Sequence, residues 1–129
     1  MLAADTNVWA RALLEDDKAQ AAKAKAALAQ ARSVGGIFVP LLVLAELSWV
    51  LRSRWEREKV IDTLDGMLRT RDVQVESPAL ARKALDAARS GAAGFADHLI
   101  AEMSFAAGAN EILTFDKALA RQPRVRRLH

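Results

Sequence analysis

Four acidic side chains stand in company that does not suit a solvated charge. Asp5 follows the apolar run Leu2-Ala3-Ala4, and Asp116 follows Ile112-Leu113-Thr114-Phe115. Both are expected at the carboxyl ends of strands, the side of an open α/β sheet where ligands collect. Glu46 has Leu42, Val43, Trp49 and Val50 at helical spacing, so it is expected to project from an apolar helix face. Asp97 has Ala93, Gly94, Ile100 and Ala101 in the equivalent places, near a helix start where the macrodipole favours negative charge. Taken singly, each has a structural reading: Asp5 and Asp97 as caps, Asp116 as a turn former, Glu46 as one end of a buried ion pair. The other acids are ordinary. Asp16 and Asp17 suit a polar turn, while Glu56, Glu58, Asp62 and Asp65 share a charged face with Arg57 and Lys59.

Taken together, the four imply chemistry. Carboxylates gathered in one crevice without a counter-cation repel each other, and some would have to stay protonated. A hard divalent cation relieves that conflict. With no Cys and only 2 His in the chain, a donor set of Asp and Glu oxygens selects Mg²⁺ or Mn²⁺ over zinc. At a phosphodiester such an ion supplies an activated water and neutralises charge on the leaving oxygen, so hydrolysis is the natural reaction. The expectation depends on the four side chains converging.

The elements that must position them alternate short apolar segments with longer periodic ones, the pattern of a parallel sheet wrapped by helices. Strands are predicted over Leu2 to Ala4, Ile37 to Val39, Val73 to Val75, Ile112 to Phe115 and Val125 to Leu128. Helices are predicted over Val8 to Leu14, Lys18 to Arg32, Leu42 to Arg54, Glu56 to Thr70, Ala79 to Ser90 and Phe95 to Ala107, with a short turn from Lys117 to Ala120. Asn7 is expected to cap the first helix, Pro78 to open another after Ser77, and Gly108 to provide a left-handed exit. The Ala-rich segment from Lys18 reads as an outer helix with a narrow contact stripe.

Composition sets the outer limits. At 129 residues, 52% of them hydrophobic, with 3 Pro and 6 Gly, the chain is expected to form one domain over residues 1–129. Absence of Cys excludes thiol nucleophiles, zinc ribbons and disulfide scaffolds, and suits a reducing compartment. The 19 Lys and Arg against 16 Asp and Glu leave a net charge of +3, mildly favouring a polyanionic partner. No basic, apolar leader opens the chain, and no apolar run approaches the roughly 20 residues of a membrane span. A soluble, cytoplasmic protein is expected.

The ordered set Asp5-Thr6-Asn7-Val8, helical Glu46, Phe95-Ala96-Asp97-His98-Leu99-Ile100-Ala101 and Thr114-Phe115-Asp116 resembles the PIN-domain nucleases, especially VapC-type toxins of bacterial toxin–antitoxin pairs. The resemblance spans the chain. It implies an α/β fold with a parallel sheet of about five strands, ordered 3-2-1-4-5 and flanked by helices. It also implies a Mg²⁺-dependent endoribonuclease that leaves a 5′-phosphate and a 3′-hydroxyl, with Asp5, Glu46, Asp97 and Asp116 as catalytic and metal-binding residues. By the same likeness Asn7 would orient Asp5, and Thr114 would sit beside metal or substrate. Many relatives carry another acid where this chain has Gly94, so the resemblance leaves one or two metal ions open. A VapB-type antitoxin and a homodimer are the partners it implies.

For an RNA substrate, Arg52, Arg54 and Arg57 after the Glu46 helix, and Arg121 and Arg124 near the C-terminus, are candidate phosphate contacts beside Arg126 and Arg127. The basic tail could instead pair with acids of a neighbouring subunit. Trp9, Trp49 and Trp55 could stack bases or pack, with Trp49 expected in the core and Trp9 and Trp55 free to line a partner groove. His98 beside Asp97 reads as structural ahead of a general base. A receiver-like phospho-acceptor domain is a rival of the same architecture, but it wants an acidic pair after the first strand. A haloacid-dehalogenase-like phosphatase wants an acid where Asn7 stands. A PIN fold serving only as a binding module is the remaining alternative.

Overall fold

The computed structural model describes residues 1–129 as alternating strands and helices. In chain order these are β1 (Leu2–Ala3), α1 (Thr6–Leu14), α2 (Lys18–Ser33), β2 (Ile37–Val39), α3 (Leu41–Arg52), α4 (Arg57–Arg69), β3 (Val73–Val75), α5 (Pro78–Ser90), α6 (Phe95–Ala106), β4 (Ile112–Thr114), a 3₁₀ turn (Leu119–Arg121) and β5 (Val125–Arg127). Every predicted element is present, with ends shifted by a residue or two. The caps explain the shifts. Asp5, not Asn7, caps α1: it is the last extended residue, and its carboxylate accepts from the Val8 amide at 3.2 Å. Pro78 opens α5 after Ser77 as expected. Gly108, at φ +104, lets the chain leave α6 while the Ala109 amide closes on the Ser104 carbonyl at 2.9 Å.

All strand pairs are parallel, but they form two sheets rather than the single sheet of order 3-2-1-4-5. β2 lies between β1 and β3, with Leu2 opposite Ile37 and Val39 opposite Val75. β4 and β5 pair separately, Ile112 opposite Val125 and Thr114 opposite Arg127. The missing link is β1 to β4. β1 has only 2 residues, both exposed, so it offers very few ladder bonds beyond those it makes to β2, and Leu113 of β4 stays 55% exposed. Entry into β2 is tight: a Cβ on Gly36, at φ +94, would stand 2.9 Å from the Asp72 carbonyl.

The core forms where α3, α4, α5 and α6 meet the β1–β3 sheet. Ile37 and Val39 from β2, Leu44, Leu47 and Leu51 from α3, and Leu64 and Leu85 from α4 and α5 are all but fully buried. Ala81, Ala84 and Ala88 allow α5 a close approach to its neighbours, because helix separation follows side-chain size. α2 packs outside through the narrow stripe Ala21, Ala24 and Ala31, as its composition predicts. Two tryptophans exchange their expected places: Trp9 is 7% exposed inside the core, and Trp49 is 61% exposed on α3. α3 is apolar on both sides. Leu44, Leu47, Ser48 and Leu51 take the core, which turns Leu42, Glu46, Trp49 and Val50 to the outside. Trp55 is half-buried, with the Lys59 ammonium 4.1 Å above its ring.

Candidate active site

Asp5 and Asp116 occupy equivalent positions, each just after a strand and each at the start of a helical turn. Asp5 uses Oδ1 to cap α1. Asp116 uses Oδ1 to accept from the amides of Ala118 at 2.7 Å and Leu119 at 3.2 Å, while its own amide donates to the Thr114 hydroxyl at 3.0 Å. Thr114 thus fixes the turn that holds Asp116, and Asn7 makes no bond to Asp5. The structural and functional readings of these two acids coexist, because capping takes one carboxylate oxygen of each.

Glu46 is not half of a buried ion pair. It is exposed, and its Oε1 accepts from the Thr6 hydroxyl at 2.8 Å. That bond ties the middle of α3 to the residue after Asp5, across 40 positions of sequence. Asn7 is the residue expected to orient an acid, at Asp5; the residue that does so is Thr6, at Glu46. The available signal was its place within Asp5-Thr6-Asn7, with a hydroxyl where an apolar residue would otherwise start the helix. Asp97 lies half-buried in the first turn of α6, after Gly94 at the N-cap. It lines a cleft of about 90 Å³ with Ser48 and Trp49, which lie within one helical turn of Glu46, and with Arg52 further along α3.

None of the four acids pairs with a basic side chain, although ion pairs are frequent elsewhere, as between Arg82 and Asp65 at 2.7 Å or Arg89 and Asp62 at 2.9 Å. Two expectations need correction. Three of the four acids are not desolvated: Asp5, Glu46 and Asp116 are exposed, and Leu2, Leu42, Trp49, Leu113 and Phe115 near them face water too. Nor do they converge on a single point, since no three Asp, Glu or His side chains stand close enough to hold one metal ion. What the structure does bring together is Glu46 with the Asp5–Thr6 corner, and Asp97 with the adjoining turn of α3. The donor chemistry still fits a hard divalent ion, because Mg²⁺ commonly takes one or two carboxylates and completes its shell with water and phosphate.

The arginines divide. Arg57 is half-buried and donates to the carbonyls of Ala88, Gly91 at 2.7 Å and Ala92 at 3.2 Å, so it braces the turn between α5 and α6 and is not a free phosphate contact. Arg124 donates to Asn110 at 3.1 Å and Ala109 at 2.8 Å and lies 4.0 Å over the Phe105 ring. Arg54 pairs with Asp16, and Arg126 with Glu111. Arg52 and Arg121 remain exposed. His98 is only 2% exposed. Burial, helped by the Arg57 charge, pushes its pKa below the usual histidine range against the opposing pull of Asp97 and Glu102. It lines a different cavity from Asp97, which removes it as a general base for these acids.

Parallel strands and crossover helices define an α/β fold, with acids just after β1 and β4. The chain matches the PIN domain family over residues 3–125 and belongs to that family. PIN domains are generally metal-dependent nucleases that use a divalent ion such as Mg²⁺. No curated protein and no solved structure matches the chain. No helix is long and apolar enough to cross a membrane.

Proposed function

We propose that this PIN domain is a Mg²⁺-dependent endoribonuclease, the toxin of a VapC-type pair working in the cytoplasm, with Mn²⁺ able to replace Mg²⁺. The observation that carries the reading is the Thr6–Glu46 hydrogen bond, which brings two of the four acid positions to one corner of a PIN fold. Asp5, Glu46, Asp97 and Asp116 would hold the ion, which when bound supplies water activation and charge neutralisation at the phosphodiester. The chain's own contribution is orientation. Caps fix Asp5 and Asp116, Thr6 holds Glu46, and the first turn of α6 presents Asp97. Arg52, beside Asp97 and held only by one bond to the Trp55 carbonyl at 3.2 Å, and Arg121 are the side chains best placed to meet RNA phosphates. The exposed apolar side chains Leu42, Trp49, Val50, Ile100 and Met103 around the acids support a covering partner, a VapB-type antitoxin or a second copy.

Purified protein freed of antitoxin, incubated with transfer and messenger RNA, should cut with Mg²⁺ or Mn²⁺ and stop in EDTA. Asp5→Asn and Asp97→Asn should abolish cutting while the circular dichroism and melting curves stay native. Wild-type rates from those variants would sink the assignment. The second reading, a PIN module that binds without cutting, is favoured by the absence of three converging ligands. It would be upheld if RNA bound the protein intact under all three conditions.

A further inference from the structure

Away from the acids, α5, α6 and the segment running into β5 border an open-mouthed cavity of about 450 Å³. We propose that this cavity binds a nucleoside monophosphate. The volume falls within the range of small-ligand sites, and the lining has the usual form, apolar walls such as Leu80 and Phe105 with a few polar groups. Those groups sort by chemistry. Lys83 is exposed at the cavity and has no acidic partner, which suits a phosphate. Arg124 holds a left-handed φ of +64, uncommon for a side-chain-bearing residue, and its guanidinium is immobilised by two carbonyls and the Phe105 ring. Two cations face one carboxylate, Glu102, so the cavity carries excess positive charge and favours an anion. Glu102 can accept from a base amino group, and the Gln122 amide can both donate and accept.

An unsatisfied group at the same place points to an occupant. His98 lines the cavity, and its Nε2 is buried without a hydrogen-bond partner. A Cβ placed on Gly91 would stand 3.0 Å from the Gln122 amide nitrogen and 3.4 Å from His98 Nε2, so amide and imidazole crowd the same glycine. A base hydrogen-bonded to Gln122 reorients that amide and brings its oxygen or nitrogen to Nε2, supplying the missing partner. The site is separate from the acids and does not depend on the nuclease reading.

The test is a titration of the full chain, in EDTA, with AMP, GMP, CMP, UMP and inorganic phosphate, following the His98 imidazole and Gln122 side-chain signals by NMR. At least one nucleotide should shift both signals saturably, while phosphate alone at the same concentration should not. Lys83→Ala should weaken that binding about tenfold or more, the effect of losing one charge-assisted hydrogen bond. His98→Leu should melt no lower than wild type, since it removes an unpartnered polar atom, and should bind more weakly. The proposal is overturned if no nucleotide moves either signal, if phosphate alone acts equally, if shifts appear at Thr6 and Asp97 instead, or if His98→Leu binds as tightly as wild type.

Discussion

The Thr6 hydroxyl donates to Glu46 Oε1 at 2.8 Å, joining the start of α1 to the middle of α3. Without it, an exposed glutamate on a long side chain has many rotamers to choose from. Thr6→Val keeps the shape and deletes the donor. Because the bond is solvent-exposed, melting should change by no more than about 1 kcal/mol. Cleavage in a single-turnover assay should fall by about tenfold or more, because misplaced catalytic groups are costly. A valine variant that cuts at the wild-type rate would leave Glu46 without a need for orientation.

Asp5 has two duties, and two substitutions separate them. Asparagine retains an oxygen that accepts from the Val8 amide, so Asp5→Asn should melt close to wild type while failing to cut RNA. Asp5→Ala loses the cap as well and should cost about 1 kcal/mol in denaturant unfolding. Equal stability of the two variants would contradict the capping geometry.

Arg57 and Arg52 should part company in salt titrations. Arg57 satisfies three carbonyls at the α5–α6 turn, so Arg57→Ala should destabilise the fold by about 2 kcal/mol and leave the salt dependence of RNA binding unchanged. Arg52→Ala should barely alter melting, and should lower the salt slope for single-stranded RNA by about 0.7. The reverse pattern would restore Arg57 as a phosphate contact.

Asp65 gives a pH signature. Burial raises its pKa, but hydrogen bonds and charge from Arg82 and Arg69 outweigh that and hold the carboxyl below its ordinary 3.8. A folded pKa below the unfolded one means stabilisation that is complete well above the unfolded value and is lost as pH falls through the folded value. The stability gap between wild type and Asp65→Asn should therefore be constant above about pH 5 and shrink steadily below it. Denaturant unfolding across that range measures it, and a gap that widens in acid would reverse the assigned sign.

Features with a local cause are legible in the sequence, and those set by distant contacts are not. Helix and strand positions followed from apolar period, Pro78 and Gly108, all of which act within one turn of chain. Glu46 lies among apolar neighbours as its sequence shows, yet it faces water, because α3 is apolar on both sides and only tertiary packing selects the side carrying Leu44 and Leu51. The same ambiguity exchanged Trp9 and Trp49. The β1–β4 pairing failed where β1 is only 2 residues long, a length that apolar pattern cannot fix. Arg57 looked like a surface charge, since nothing nearby in sequence announces carbonyls more than 30 positions away. The four acids were legible as outliers, but their mutual distances were not.

The outward flank of α3 also governs how the lone chain behaves in a tube. A Trp and a Leu more than half exposed on one helix, with Ile100 equally bare on another, form a sticky surface whose wetting grows costlier with every added molecule. Preparations should self-associate as they are concentrated, and co-expression with whatever caps that flank should raise the yield of soluble material.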